Sequence, residues 1–522
     1  MKQPFIILAT ILITTAGWSQ TPGLKAVRSE IIAGRFLNNN SPIKGVEYLF
    51  DARVNSFGFD STASNCLVQF RELRRNGKSL KNKGYFGVFN FETDSLYWLQ
   101  KINYITRKPF VVSGILLSQR DDYTVERLDF NTGEKIWKVK GGFWHIHDNP
   151  PVAFFYDVGY PSEVMEPMTA FNLRTGKLLW RRDMPREGGW QSVLYPADST
   201  LLISSNGLHQ FNAYTGKGWD YNALTVKKDY AGLVVGIGFG LTFGALTGTF
   251  VIPISGSYGP GVATYGSNIL ADSSHLWYAS RKRLSCLSHE GDSLWSVPIE
   301  SDNEGQSYLW TRDSLLYRLN LGFAYHGRAK VSDDKPSIES FDRETGTKKS
   351  FRALGKKRDF IRQFDISTDT MVLLFDKKLV SYDYSRDQAL DTAFFDDSEL
   401  GKPYSLLADR VYYRVSDSLY KHANSLFHNR HPIIFTEGKI ALINSELHVT
   451  DTIERSRLFL AQLGFGTGSV LLRDKKKLIA IDNEGKPFAT IDIGEDDFQI
   501  FGDWLYYVDN KRLVAVYMST FM

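Results

Sequence analysis

Apolar runs of strand length, separated by polar turns, fill nearly the whole chain, and stretches with helical periodicity are almost absent. Two phrases recur among them. One is an apolar residue, an Asn or Asp, a short polar turn ending in Thr-Gly, and a run closed by Trp. It reads FNFETDSLYW from Phe89, LDFNTGEKIW from Leu128, FNLRTGKLLW from Phe171 and FNAYTGKGWD from Phe211. Worn copies begin at Leu287 (LSHEGDSLW), Phe341 (FDRETGTKKSF) and Ile481 (IDNEGKPF). The other phrase lies upstream: a polar turn, an apolar strand, a second short turn and another strand, as after Asp198, Asp272, Asp313 and Asp503.

Joined, the two phrases give turn, strand, hairpin, strand, Thr-Gly turn, strand, which is the plan of a four-stranded propeller blade. The turn positions Asp94, Gly133, Gly176 and Gly216 are 39, 43 and 40 residues apart, and a period near 40 marks propeller repeats. The glycines stand where a tight hairpin needs positive φ, and the Asn or Asp upstream is placed to accept hydrogen bonds from the turn backbone. Trp98, Trp137, Trp180 and Trp295 open the return strand and are expected to wedge between neighbouring blades. The fold class expected is all-β: one propeller of about eight four-stranded blades, with seven to nine allowed. Segment 431–463 fits the period poorly.

The Thr-Gly-x-x-x-Trp phrase resembles the repeat of the quinoprotein (PQQ-type) β-propeller family and its non-catalytic branch, which includes the propeller lipoprotein of outer-membrane barrel assembly. The resemblance is clearest from Phe89 to Trp295 and worn beyond. A catalytic member of the alcohol-dehydrogenase type would imply adjacent cysteines over the quinone, a tryptophan floor and a calcium site. Cys66 and Cys286 are the two cysteines and are far apart in sequence, and no clustered calcium-ligand set stands out. The expectation is a non-catalytic module with no cofactor, no metal and no catalytic residue. An enzyme using a cofactor or glycan in the central funnel is the alternative.

The N-terminus changes the picture of location. Lys2, the apolar Phe5 to Ala16, and Gly17 and Ser19 ahead of Gln20 have the layout of a cleavable export signal over residues 1–19. The apolar part is shorter than the roughly 20 residues a bilayer needs. No cysteine lies beside the cleavage point, so a lipoprotein is not expected. The mature chain, 20–522, is then expected in the periplasm or at the outer membrane, bound to an envelope protein or polymer. A formal charge of +4 over the whole chain argues against nucleic acid, and 43% hydrophobic residues against disorder. The two cysteines read as buried apolar residues, with a long-range disulfide left open.

His145 and His147 precede Asn149-Pro150-Pro151, and the expected role is a polar inter-blade loop, a metal pair being the alternative. His422, His428 and His431 match no ligand spacing, and the pairs Asp121-Asp122, Asp333-Asp334, Asp396-Asp397 and Asp496-Asp497 read as solvated turns. Finally, Gly216 and Gly291 are 75 residues apart where about 40 are expected. The surplus, at about 228–262, carries an uncharged segment from Ala231 to Ser255 with Gly232, Gly236, Gly240, Gly244 and Gly248 every fourth residue. On a helix these make one smooth face; as a strand, Val235, Ile237, Phe239, Leu241 and Phe243 alternate with small residues. The helix is favoured, as a lid or as an element touching membrane or partner through residues 231–255.

Overall fold

The computed structural model describes residues 26–518 apart from 229–261, 395–402, most of 407–430, 454–461 and shorter runs between strands. The expected export signal and the glycine-rich segment lie outside the described residues. Within them the regular elements are antiparallel strands, and no helix is long and apolar enough to cross a membrane.

The strands form four-stranded sheets in chain order, as the blade plan requires. Blades 1 to 4 occupy 54–103, 107–140, 142–185 and 191–222. Blades 5 to 7 follow at 270–298, 307–353 and 363–394, and blades 8 and 9 at 403–453 and 462–492. Blade 10 takes three strands from 498–517 and its fourth from Pro42–Phe50 near the other end of the chain. The all-β propeller plan holds, and the described sheets of this plan number ten where the phrase count gave about eight. The poorly fitting stretch is explained by a two-stranded excursion, Tyr412–Tyr413 with Lys421–His422, between the first and second strands of blade 8.

Both faces of a blade are buried, and that is why the strands read as continuous apolar runs rather than alternating ones. In Trp504–Asp509, Leu505 and Tyr507 join the cluster shared with blade 9, while Tyr506 and Val508 join the cluster shared with blade 1. Blade 7 divides likewise: Met371 and Leu373 face blade 6, Val372 and Leu374 face blade 8. The core is thus a series of clusters between neighbouring sheets.

The repeated phrase has a tertiary partner. Trp98, Trp137, Trp180, Trp219 and Trp295 each donate the indole N–H to a carbonyl in the next blade: Phe130, Leu173, Ala213, His289 and Arg343, at 2.7 to 3.1 Å. Each ring also lies on the turn glycine of that blade. A Cβ at Gly176 would come within 2.6 Å of Trp137, and Gly133, Gly216, Gly291 and Gly346 meet Trp98, Trp180, Trp219 and Trp295 in the same way. These glycines have φ between +67° and +89°, so backbone conformation and contact exclude a side chain together. The upstream Asn or Asp behaves as expected: Asn172 Oδ1 accepts from the N–H groups of Arg174 and Thr175, and Asp129 and Asn212 do the same in their turns.

In blades 1 and 7 an aspartate stands where other turns have glycine. Asp94 and Asp387 occupy the turn position at φ +49° and +55°, and each faces an arginine, Arg28 at 3.5 Å and Arg352 at 3.0 Å.

Trp219 on Gly291 also shows that blade 4 stands beside blade 5, so the intervening residues are an excursion. The flanks of that excursion, Val226–Lys228 and Val262–Thr264, pair with each other and then with a second excursion, Phe323–His326 and Ala329–Ser332, which leaves blade 6. Together they make a four-stranded sheet outside the blade series. Lys228 pairs with Val262, so both ends of 229–261 leave side by side.

Residues from near the start of the described chain complete the last blade. Val46 to Leu49 pair with Ala515 to Arg512, and Ala26–Phe36 adds a further strand that reaches the last strand of blade 9 through Gly34 to Phe36.

A cationic groove on blade 1 as candidate binding site

Several residues singled out in the sequence take structural places. Cys66 and Cys286 are buried, unpaired and in different blades, so the disulfide does not form. Burial pushes both thiols up, Cys286 to about 12, so neither is poised as a thiolate. Asp121 and Asp122 lie exposed on a turn, where Asp122 Oδ1 accepts from Thr124 N–H. The remaining acidic pairs fall wholly or partly outside the described residues, as does His428; of His422 and His431 the backbone alone is described.

His145 and His147 are not in a loop. They lie on Gly142–His147, the first strand of blade 3, which ends just before the prolines. Both meet Tyr195 of blade 4: His145 Nε2 is 2.5 Å from its hydroxyl, and the His147 ring stands edge-on at 5.3 Å. Among the described residues no group of three His, Cys, Asp or Glu side chains could hold a metal. Burial pushes the His145 imidazole down from 6.5 to about 4, with the adjacent His147 adding to the effect. The unfolded chain therefore takes up a proton in that interval which the folded chain does not. Stability from this group is complete above pH 6.5 and is lost as pH falls towards 4. We expect His145→Gln to flatten the fall of melting temperature with pH over that window; an unchanged slope would contradict the assignment.

The most buried charges are already matched. Arg318, fully buried, donates to Glu339 at 2.6 Å, and Lys348 approaches the other oxygen of Glu339 at 2.9 Å. Burial works to raise the Glu339 carboxyl, but the two cations hold it below its ordinary value. Asn303 and Glu304, on the segment leading into blade 6, are held by the same kind of contact: Ser337 Oγ donates to Asn303 Oδ1 at 3.3 Å and Arg281 to Glu304 at 2.6 Å. This network anchors the connection between blades 5 and 6.

An opening with an excess of positive charge lies on blade 1. A groove of about 530 Å³ is lined by Ala52, Phe70, Tyr85 and Ile102 together with Lys81, Lys83, Lys101 and one acid, Glu72. Its wall is the connection between Asn65–Phe70 and Lys83–Asn90, a small hairpin joined by the Leu73–Leu80 bridge. Residues 71–83 carry Arg71, Arg74, Arg75, Lys78, Lys81 and Lys83 against the single acid Glu72. Two of these charges pin the wall. Arg71 donates to the Lys81 carbonyl at 2.5 Å and lies 5.1 Å over the Tyr104 ring, while Glu72 accepts the Arg53 N–H at 3.0 Å. Glu72 is therefore engaged at the base of the wall. Lys81, Lys83 and Lys101 are exposed, and among the described residues none is ion-paired.

The sequence reading missed this groove, because a net charge taken over the whole chain averages the basic run away. The run itself was the available signal.

No family model matches the chain and no curated protein is similar to it. Solved structures of similar fold include BamB from Moraxella catarrhalis, 12% identical over 74% of this chain and 96% of that one, with a TM-score of 0.33. The C-terminal WD40 domain of Sif2 is 10% identical over 90% of this chain and 99% of that one, also at 0.33. A computationally designed protein, Ika8, is 9% identical over 78% and 95%, again at 0.33. The fold assignment rests on the sheets and their pairing described above.

Proposed function

We propose that this chain is an exported, non-catalytic propeller of the quinoprotein-repeat type that holds a protein partner in the cell envelope. The observation that carries the reading is the blade-1 groove, where an apolar floor is flanked by three exposed lysines and the wall is pinned in place by Arg71 and Glu72. Binding sites combine an apolar floor with a few convergent polar groups, and this groove has that composition. The Lys2 to Ser19 layout supports export, with residues 20–522 as the mature propeller, periplasmic or associated with the outer membrane and not acylated.

The experiment has two arms. N-terminal sequencing of protein recovered from the envelope fraction should give Gln20 as the first residue. Protein incubated with pyrroloquinoline quinone and calcium should show no quinone absorbance and no dye-linked oxidation of alcohols or sugars. An uncleaved cytoplasmic protein overturns the location, and quinone-dependent turnover overturns the scaffold reading.

A further inference from the structure

We infer that the blade-1 groove takes an extended, acidic peptide segment, with carboxylates on Lys81, Lys83 and Lys101 and an apolar side chain between them on the groove floor. The inference rests on reading the groove as a binding site, and it names what that site selects.

The register of blade 1 sets the pattern. Phe70 pairs with Tyr85 and Tyr85 with Lys101, so these three form one row across neighbouring strands. Lys83 pairs with Asn103 in the adjacent row on the same face, two residues along each strand. Lys83 and Lys101 are therefore diagonal neighbours, with Cβ atoms roughly 7–8 Å apart. Residues i and i+2 of an extended peptide are spaced by roughly 6.6 Å, close to that separation. A strand-like ligand with acids at alternate positions can thus meet both ammonium groups.

The floor narrows the choice further. A small inorganic anion would meet the lysines and leave the partly exposed Ala52 and Tyr85 uncovered. An uncharged apolar peptide would cover the floor and leave three ammonium groups with Glu72 as the one carboxylate lining the groove. An acidic segment carrying an aliphatic or aromatic residue uses both. Charge complementarity of this exposed kind acts through attraction that salt screens, so the interaction should be strongly salt-dependent.

The test uses the full mature chain and fluorescence anisotropy with a labelled ten-residue peptide bearing Glu at alternate positions around one Leu. Its Gln counterpart and vesicles containing anionic phospholipid are measured beside it. The Glu peptide should bind at least roughly tenfold more tightly than the Gln peptide, and lose roughly tenfold between about 50 and 300 mM salt. The triple variant Lys81→Glu, Lys83→Glu, Lys101→Glu should lose at least roughly tenfold in affinity while melting like the parent. A control makes the same charge change elsewhere: Lys135→Glu, Lys138→Glu and Lys140→Glu, all exposed on the last strand of blade 2. It should stay within roughly twofold of the parent.

Equal binding of Glu and Gln peptides overturns the inference, as does equal loss in both triple variants. Capture by anionic vesicles with no peptide binding assigns the patch to a membrane surface and also overturns it. If no acidic peptide binds while a protein partner is still cross-linked at the groove, the selectivity falls and the binding role stands.

Discussion

Deleting residues 503–522 is expected to abolish cooperative unfolding. The deleted segment holds two of the four strands of blade 10, and Arg512–Tyr517 is the strand that pairs with Pro42–Phe50. Its side chains belong to two clusters at once. Leu505, Tyr507, Val514, Val516 and Met518 pack with Ala33, Ile43 and blade 9, while Tyr506, Val508, Leu513 and Ala515 pack with Val54, Phe57 and blade 1. Each large apolar side chain is worth roughly 1.5–3 kcal/mol on burial, so the loss exceeds the 5–15 kcal/mol that typical domains have in total. Pro42–Phe50 would be left as an open edge. Thermal and denaturant unfolding followed by circular dichroism should show a broad, low-amplitude change in the truncated protein. A transition as sharp as the parent's, at the same temperature, would show that the ring does not depend on this closure.

The second large effect is expected where a tryptophan meets a turn. Trp137 is 7% exposed, donates to the Leu173 carbonyl and covers Gly176. Trp137→Ala should cost about 3–5 kcal/mol, as large core truncations do. The same contact can be broken from its other side. Gly176→Ala puts a methyl group at 2.6 Å from the ring in a backbone at φ +69°. Gly77 has nearly the same φ, +63°, with nothing within 4 Å of the position a Cβ would take. Gly77→Ala therefore reports the left-handed backbone penalty alone, about 1–2 kcal/mol, and Gly176→Ala should exceed it clearly. Equal losses at the two glycines, from matched denaturation curves, would mean that the indole contact carries no weight.

The sequence announced blades because each one writes half of an inter-blade contact into a local phrase. Gly176 and Trp180 sit in the same turn and strand, yet each serves a different neighbour: Gly176 receives Trp137, and Trp180 covers Gly216. Local reading finds the phrase and does not find the pairing. Counting stopped short where the phrase is written in other residues, as at Asp387 with Arg352 in blade 7 and Leu447 in blade 8. The small sheet outside the blade series was illegible, because strands as short as Val226–Lys228 and Val262–Thr264 leave no periodic signal. The prolines beside His145 and His147 predict a loop, whereas both residues lie on the strand Gly142–His147. The groove needed the fold: Lys81 and Lys101 are 20 residues apart, and pairing of Tyr85 with Lys101 brings the two stretches together.

The central claim is that blade 1 carries the partner. Its most direct test is photo-cross-linking in intact cells that export the protein, with a photoreactive residue in place of Lys83 and, separately, in place of Ile136 on the exposed last strand of blade 2. A discrete protein adduct from position 83, absent from position 136 and lost when Lys81 and Lys101 are changed to Glu, is the result the account predicts. No adduct at position 83, or the same adducts from both positions, would contradict it.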